Sequence, residues 1–176
     1  MVQLIYAYGA KVTKVGHART PLFTTFMEYY WQNNGAPNPA DSSSGAGPAL
    51  FDNHLYYNFG GVTNDHSEKG YLTNLCNTNR ISRDVAAHNT PLIFGEWSLA
   101  TRWNASDAFL ARWADAQKIM YASASTAGWI FWNFKIEAGL DAQRQWDYFE
   151  GLRRGYLTQN PASVHNASVC APYKAK

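Results

Sequence analysis

The sequence predicts an α/β fold built on parallel strands, and three observations carry that prediction. Four short apolar runs read as buried strands: Pro21–Met27, Ala49–Tyr57, Pro91–Trp97 and Gly128–Phe134. Helical patterns separate the last three of them. Polar residues gather at the C-terminal ends of the runs: Asp52, Asn53 and His54, then Glu96, then Asn133 and Lys135.

Taken in order, the first run (PLFTTFM) is followed by NNGAPNPADSSSGAGP, residues 33–48, whose Gly, Pro, Asn and Ser content reads as one long loop. After the second run (ALFDNHLYY), Tyr71, Leu72, Leu75 and Cys76 fall on one helical face. After the third (PLIFGEW), Phe109, Leu110, Trp113, Gln117 and Met120 keep the helical period with one polar member. Ser106 stands where an N-cap belongs. A further helix is expected near Gln143–Arg153.

The runs are apolar on both faces, as strands of a buried parallel sheet must be. Alternating strand and helix gives parallel pairing through crossovers. In a closed β/α barrel the C-terminal strand ends carry the active site, and in an open doubly wound sheet they line the crevice. Periodicity alone leaves both open. Four strands are half of an eight-stranded barrel, which typically needs ~250 residues. A half barrel exposes two strand edges and an apolar interior, so the expectation is that the chain is part of a longer one.

Composition narrows the function classes. Of the 176 residues, 46% are hydrophobic, enough for one folded unit with a real core. Charged residues make up only 16% and aromatics 15%. Most of those aromatics are expected in the core, although Tyr and Trp also present the flat apolar face and polar edge that sugar rings match. With a net charge of +2 and no basic cluster beyond Arg153-Arg154, a nucleic-acid partner is not expected. No apolar run approaches the ~18 residues of a membrane span. The N-terminus lacks the basic start and long apolar stretch of a signal peptide. Yet the sequons Asn104-Ala105-Ser106 and Asn166-Ala167-Ser168, with an even cysteine count, favour an oxidising compartment. The spacing of Cys76 and Cys170 is not of zinc type. No Gly-rich phosphate loop, HExxH, CxxC or Gly-x-Ser-x-Gly pattern occurs. No cofactor and no metal are expected.

Four residues stand out. Glu96 closes an apolar strand, where a carboxylate is costly unless it is used or paired; an ion pair or a strand-end cap would also account for it. His54 and Tyr56, two apart on one strand, point to the same face and can both hydrogen-bond a neighbouring carboxylate; a satisfied core His and a packing Tyr are the alternative. Trp132 can floor a sugar site by stacking or simply pack in the core. His17, His66, His88 and His165 have loop-like neighbours and no assigned role.

The segments DNHLYYNFGG, PLIFGEWSLA and AGWIFWNFKIE, in that order, resemble glycoside hydrolase family 5, and within it the fungal exo-β-1,3-glucanase group. The resemblance runs from about Pro21 to Tyr173. It implies the last four β/α units of a (β/α)8 TIM-type barrel over residues 21–176, with residues 1–20 unassigned. It implies Glu96 as catalytic nucleophile, His54 and Tyr56 lining the site with the tyrosine bonded to the nucleophile, and Trp132 as the platform under the sugar. It also implies a Cys76–Cys170 disulfide, a β-glucan or oligosaccharide substrate, and a secreted or cell-wall location. The family's acid/base glutamate stands in an Asn-Glu-Pro motif that does not occur here. The chain alone is therefore expected to turn over glycosides poorly. The competing readings are a non-catalytic glucan-binding remnant and a fragment that does not fold alone, with self-association through open edges as a way to cover them.

Overall fold

The computed structural model describes residues 24–26, 49–59, 61–87 and 89–175. Within them, four strands form one parallel sheet in chain order: β1 (Thr24–Phe26), β2 (Ala49–His54), β3 (Leu92–Trp97) and β4 (Thr126–Phe131). The α/β class with parallel strands is thus as expected. The expected loop over residues 33–48, residues 1–20, His17 and His88 lie outside the described residues.

Helices α1 (Glu68–Cys76) and α2 (Arg80–Ala86) link β2 to β3, and α3 (Asp107–Tyr121) links β3 to β4. The cap expected at Ser106 is present: its Oγ accepts the Phe109 N–H at 3.1 Å, satisfying one donor that the helix start leaves unpaired. Both expected helical faces are inward. Tyr71, Leu72, Leu75 and Cys76 of α1 and Phe109, Leu110, Trp113 and Gln117 of α3 are buried, and Met120 packs against the core partly buried. The polar member of that stripe is satisfied, since Gln117 Nε2 donates to the Ser98 carbonyl at 3.0 Å. α1 and α3 pack on each other through Tyr71 and Trp113, with ring centroids 5.4 Å apart. Among the described residues most aromatics are core or pack against it, as expected: Trp97, Trp113, Tyr121, Tyr156, Phe51 and Phe94 are all fully buried. Each such side chain contributes ~1.5–3 kcal/mol by leaving water.

Two elements differ from the sequence reading. α2 has no apolar stripe to announce it. It is anchored by a polar contact, with its buried Asp84 accepting from Asn53 Nδ2 at 3.0 Å and from Asn89 Nδ2 at 3.1 Å. The helix expected over Gln143–Arg153 is two, α4 (Gln143–Trp146) and α5 (Tyr148–Arg153). Asp147 between them is extended, at φ −112° and ψ 113°, and its carboxylate caps α5 by accepting the Glu150 N–H at 2.8 Å. A buried aspartate that can satisfy backbone donors this way breaks a helix that periodicity alone would continue. The strand ends differ as well: β2 stops at His54, and β4 runs two residues earlier than expected at its start and stops at Phe131.

A chain-terminal 3-10 turn (Ala171–Tyr173) docks on α1 through the Cys76–Cys170 disulfide, Cα–Cα 5.4 Å. The pairing implied by the resemblance is therefore present. Among the described residues no helix is long and apolar enough to cross a membrane.

Candidate active site

The site forms where β2 and β3 end. Strict alternation along β3 would put Glu96 on the same side as Leu92 and Phe94, both buried under the helices. It does not lie there. The partners Asp52↔Ile93 and His54↔Glu96 show two residues on β2 spanning three on β3. One extra residue, a β-bulge of a kind uncommon in parallel pairs, resets the phase. Glu96 then faces the half-exposed side with His54, and Trp97 turns inward to full burial. The bulge frees the Gly95 N–H from the ladder, and the Asp52 carboxylate accepts it at 3.0 Å. A side chain at 95 could not coexist with this contact, because a β-carbon there would stand 2.1 Å from Asp52 Oδ1.

Glu96, His54 and Tyr56 come together. The Tyr56 hydroxyl donates to Glu96 Oε2 at 2.8 Å. His54 Nδ1 stands 3.3 Å from the same oxygen, and His54 Nε2 stands 3.4 Å from Asp52 Oδ2. The imidazole thus lies between two carboxylates. Burial pulls its pKa down, but the hydrogen bond and charge of Asp52 and the charge of Glu96 outweigh it, and the net shift is upward. Burial, then the hydrogen bond to Glu96 and the Glu96 charge, push the Tyr56 phenol well above its ordinary range. It is a hydrogen-bond donor at any working pH.

Trp132 follows β4 directly. Its backbone N–H donates to the Trp97 carbonyl at 2.7 Å, one residue beyond Glu96, and its indole is 47% exposed. Within the described residues that indole is not packed into the core. Two aromatics with no expected role border the site: Phe59 stacks on the Tyr56 ring at 5.1 Å, and Trp146 lies 5.4 Å from it. Trp146 also forms the wall of a cleft of about 760 Å³ that includes Asn104, Gln143 and Arg144. Nothing in the local pattern around Trp146 marks it, since the loop after β4 brings it back through the bond from the Asn133 N–H to the Trp146 carbonyl.

Of the other strand-end polar residues, Asp52 belongs to this cluster through Gly95 and His54. Asn53 alternates to the helix side and is buried between Arg80 and Asp84. Lys135 is exposed. Asn104 and Asn166 are both exposed; the first accepts from Arg144 Nη1 at 3.0 Å, the second from the Ser168 N–H at 2.9 Å. His66 meets Arg102 and His165 meets Asp115. Among the described residues no group of three or more His, Cys, Asp or Glu could hold a metal ion.

This geometry can be set beside known proteins. No family model matches the chain. A protein of Neosartorya fischeri named probable glucan endo-1,6-beta-glucosidase B is 29% identical over 159 residues, 85% of this chain and 36% of the relative. Its namesake in Aspergillus fumigatus is 30% identical over 141 residues, 74% of this chain and 32% of the relative. Among solved structures, rutinosidase from Aspergillus niger superposes with a TM-score of 0.57 at 18% identity, over 88% of this chain and 42% of that one. The structure named AoRut gives 0.56 at 20% identity, over 88% and 41%. The chain is related to glycoside hydrolases. It spans about a third of the length of the curated relatives it matches, 36% and 32% for the two above. The superpositions bear on the fold, which is shared with part of a rutinosidase.

Proposed function

We propose that this chain carries the nucleophile half of a retaining β-glucan hydrolase, with Glu96 attacking the anomeric carbon. The observation that carries the reading is one carboxylate at the rim of a parallel sheet, on its half-exposed side, with the Tyr56 hydroxyl at 2.8 Å and His54 at 3.3 Å. Parallel β/α sheets bind substrate at that rim. A carboxylate needs a free lone pair aimed outward and donors behind it to attack carbon in a fixed direction, and Tyr56 with His54 occupy one oxygen, Oε2. Trp132, half exposed beyond the neighbouring strand, would floor the sugar by stacking, and the cleft past Trp146 would take further units of a polymer.

In the reaction, a bond forms between Glu96 and the anomeric carbon as the glycosidic oxygen leaves, protonated by a second carboxyl group about 5–5.5 Å away. Water then releases the sugar. We place that acid outside this chain's residues, because Asn-Glu-Pro does not occur in it, and read the four strands as part of an eight-stranded barrel. The exposed apolar Ile130, Phe134 and Phe149 near the β4 edge fit a surface that further strands would cover. Size-exclusion chromatography would tell whether two copies cover it instead. The motifs imply β-1,3-glucan cut from its end. The curated relatives' names make internal β-1,6 bonds the first alternative, so both glucans belong in the assay. The disulfide supports an extracellular location.

The test separates nucleophile from acid. A 2-deoxy-2-fluoro-β-glucoside with a dinitrophenolate leaving group needs no proton on departure, so Glu96 alone suffices to displace it. Mass spectrometry should find one fluoroglucosyl group on the peptide holding Glu96, absent in Glu96→Gln. Turnover of either glucan should be negligible. Labelling at another residue, or none, would refute the assignment.

A further inference from the structure

We propose that Asp52 is a positioning residue for Glu96, fastening both the strand bulge that turns Glu96 outward and the imidazole that holds it there. The inference rests on reading Glu96 as the nucleophile and adds a residue that neither the motifs nor the comparisons assign.

The two carboxylate oxygens of Asp52 are divided between two tasks. Oδ1 accepts the Gly95 N–H at 3.0 Å, and Oδ2 faces His54 Nε2 at 3.4 Å. The first contact supplies a partner to the backbone donor that the bulge releases, at the position that decides which side Glu96 takes. The second fixes the ring whose other nitrogen meets Glu96 Oε2 at 3.3 Å. Residue 95 must be glycine for either contact to exist, since a β-carbon there would fall 2.1 Å from Oδ1 and 2.7 Å from Oδ2. Asp52, Gly95 and His54 are therefore one device, and Glu96 is what it aims.

The chemistry of imidazole sets the consequence. The titratable groups that the described residues bring to His54 are Asp52 from its own strand and Glu96 from β3, with the Tyr56 phenol on the same Glu96 oxygen. A doubly protonated ring presents an N–H and positive charge to each carboxylate. A neutral ring has a single N–H and must abandon one of them. Asp52 raises the pH at which that choice arises, and so extends the range in which Nδ1–H reaches Glu96.

The experiment reads His54 directly in the whole 176-residue chain, without sugar. Long-range proton–nitrogen spectra of the labelled protein, with the His54 signals identified by their loss in His54→Gln, report both protonation and tautomer against pH. In the unaltered chain the His54 midpoint should lie above the ordinary imidazole range. In Asp52→Asn it should move down, and the Nε2–H signal should be lost. Gly95→Ala keeps the aspartate charge but displaces it, and should move both readings the same way. Labelling of Glu96 by the fluoroglucoside should slow on the order of tenfold or more in Asp52→Asn, as small misplacements of a reacting group do. A natively folded Asp52→Asn with an unchanged midpoint and tautomer would overturn the proposal. So would an unaltered chain whose His54 titrates at or below the ordinary range, a result that needs no variant to fold. If the unaltered chain titrates as expected but takes no label, the glycosidase reading fails and the placement of His54 by Asp52 stands.

Discussion

Removing both cysteines tests the tie between the chain end and α1. In Cys76→Ala/Cys170→Ala the perturbation falls mainly on the unfolded chain, because the bridge spans 94 residues. Loop-closure entropy for that length gives about 4.7 kcal/mol at 25 °C. Three hydrogen bonds beside the bridge would survive: Lys174 Nζ to the Cys76 carbonyl at 2.7 Å, Asn77 Nδ2 to the Tyr173 carbonyl at 2.7 Å and the Ala175 N–H to Asn77 Oδ1 at 2.8 Å. They are exposed or half-buried, so they cannot replace a covalent tie. At ~2–4 °C per kcal/mol for a chain of this size, the midpoint of thermal unfolding should fall by roughly 9–19 °C. Urea titration followed by circular dichroism gives the free energy, and hydrogen exchange over residues 171–175 should accelerate as the turn frays. A loss under ~1 kcal/mol would refute the reasoning, since it would mean the unfolded chain already keeps these ends together.

Other outcomes follow from single contacts. Trp113→Ala removes a fully buried indole from between Tyr57, Tyr71 and Phe109. It should cost ~3–5 kcal/mol by chemical denaturation; a loss below ~1 kcal/mol would mean the aromatic cluster repacks. Glu150 is held at a pKa of about 2, chiefly by its hydrogen bonds to Arg153 and Arg154, against an ordinary 4.5. A lowered carboxylate stabilises above its unfolded pKa, and the contribution is lost as pH falls through the folded one. Stability should therefore drop between roughly pH 4.5 and 2, and Glu150→Gln should flatten that limb. An identical acid profile in the variant would place the sensitivity elsewhere.

How much of the site was legible varies by residue. Tyr56 and His54 could be paired from the sequence because a two-residue spacing on a strand fixes a common face. The companion Asn53 could not be separated from them by composition, and only alternation in the folded strand sends it to Asp84. Trp146 gave no signal, because its nearness to Tyr56 comes from the return of a loop after β4.

The sequence by itself determined the four strands and the two main helical faces: four short apolar runs, a face from Tyr71 to Cys76, a stripe from Phe109 to Met120 begun by Ser106, and hence parallel strands with polar rims. Those properties are local, written in side-chain volume, polarity and spacing. The tertiary structure alone decided which way Glu96 faces. Counting in twos from Leu92 puts it beneath the helices, and the fold reverses that with one extra residue between Ile93 and Glu96. A bulge is an agreement between two strands, and its donor is satisfied by an aspartate 43 residues away, so no window of one strand could contain it.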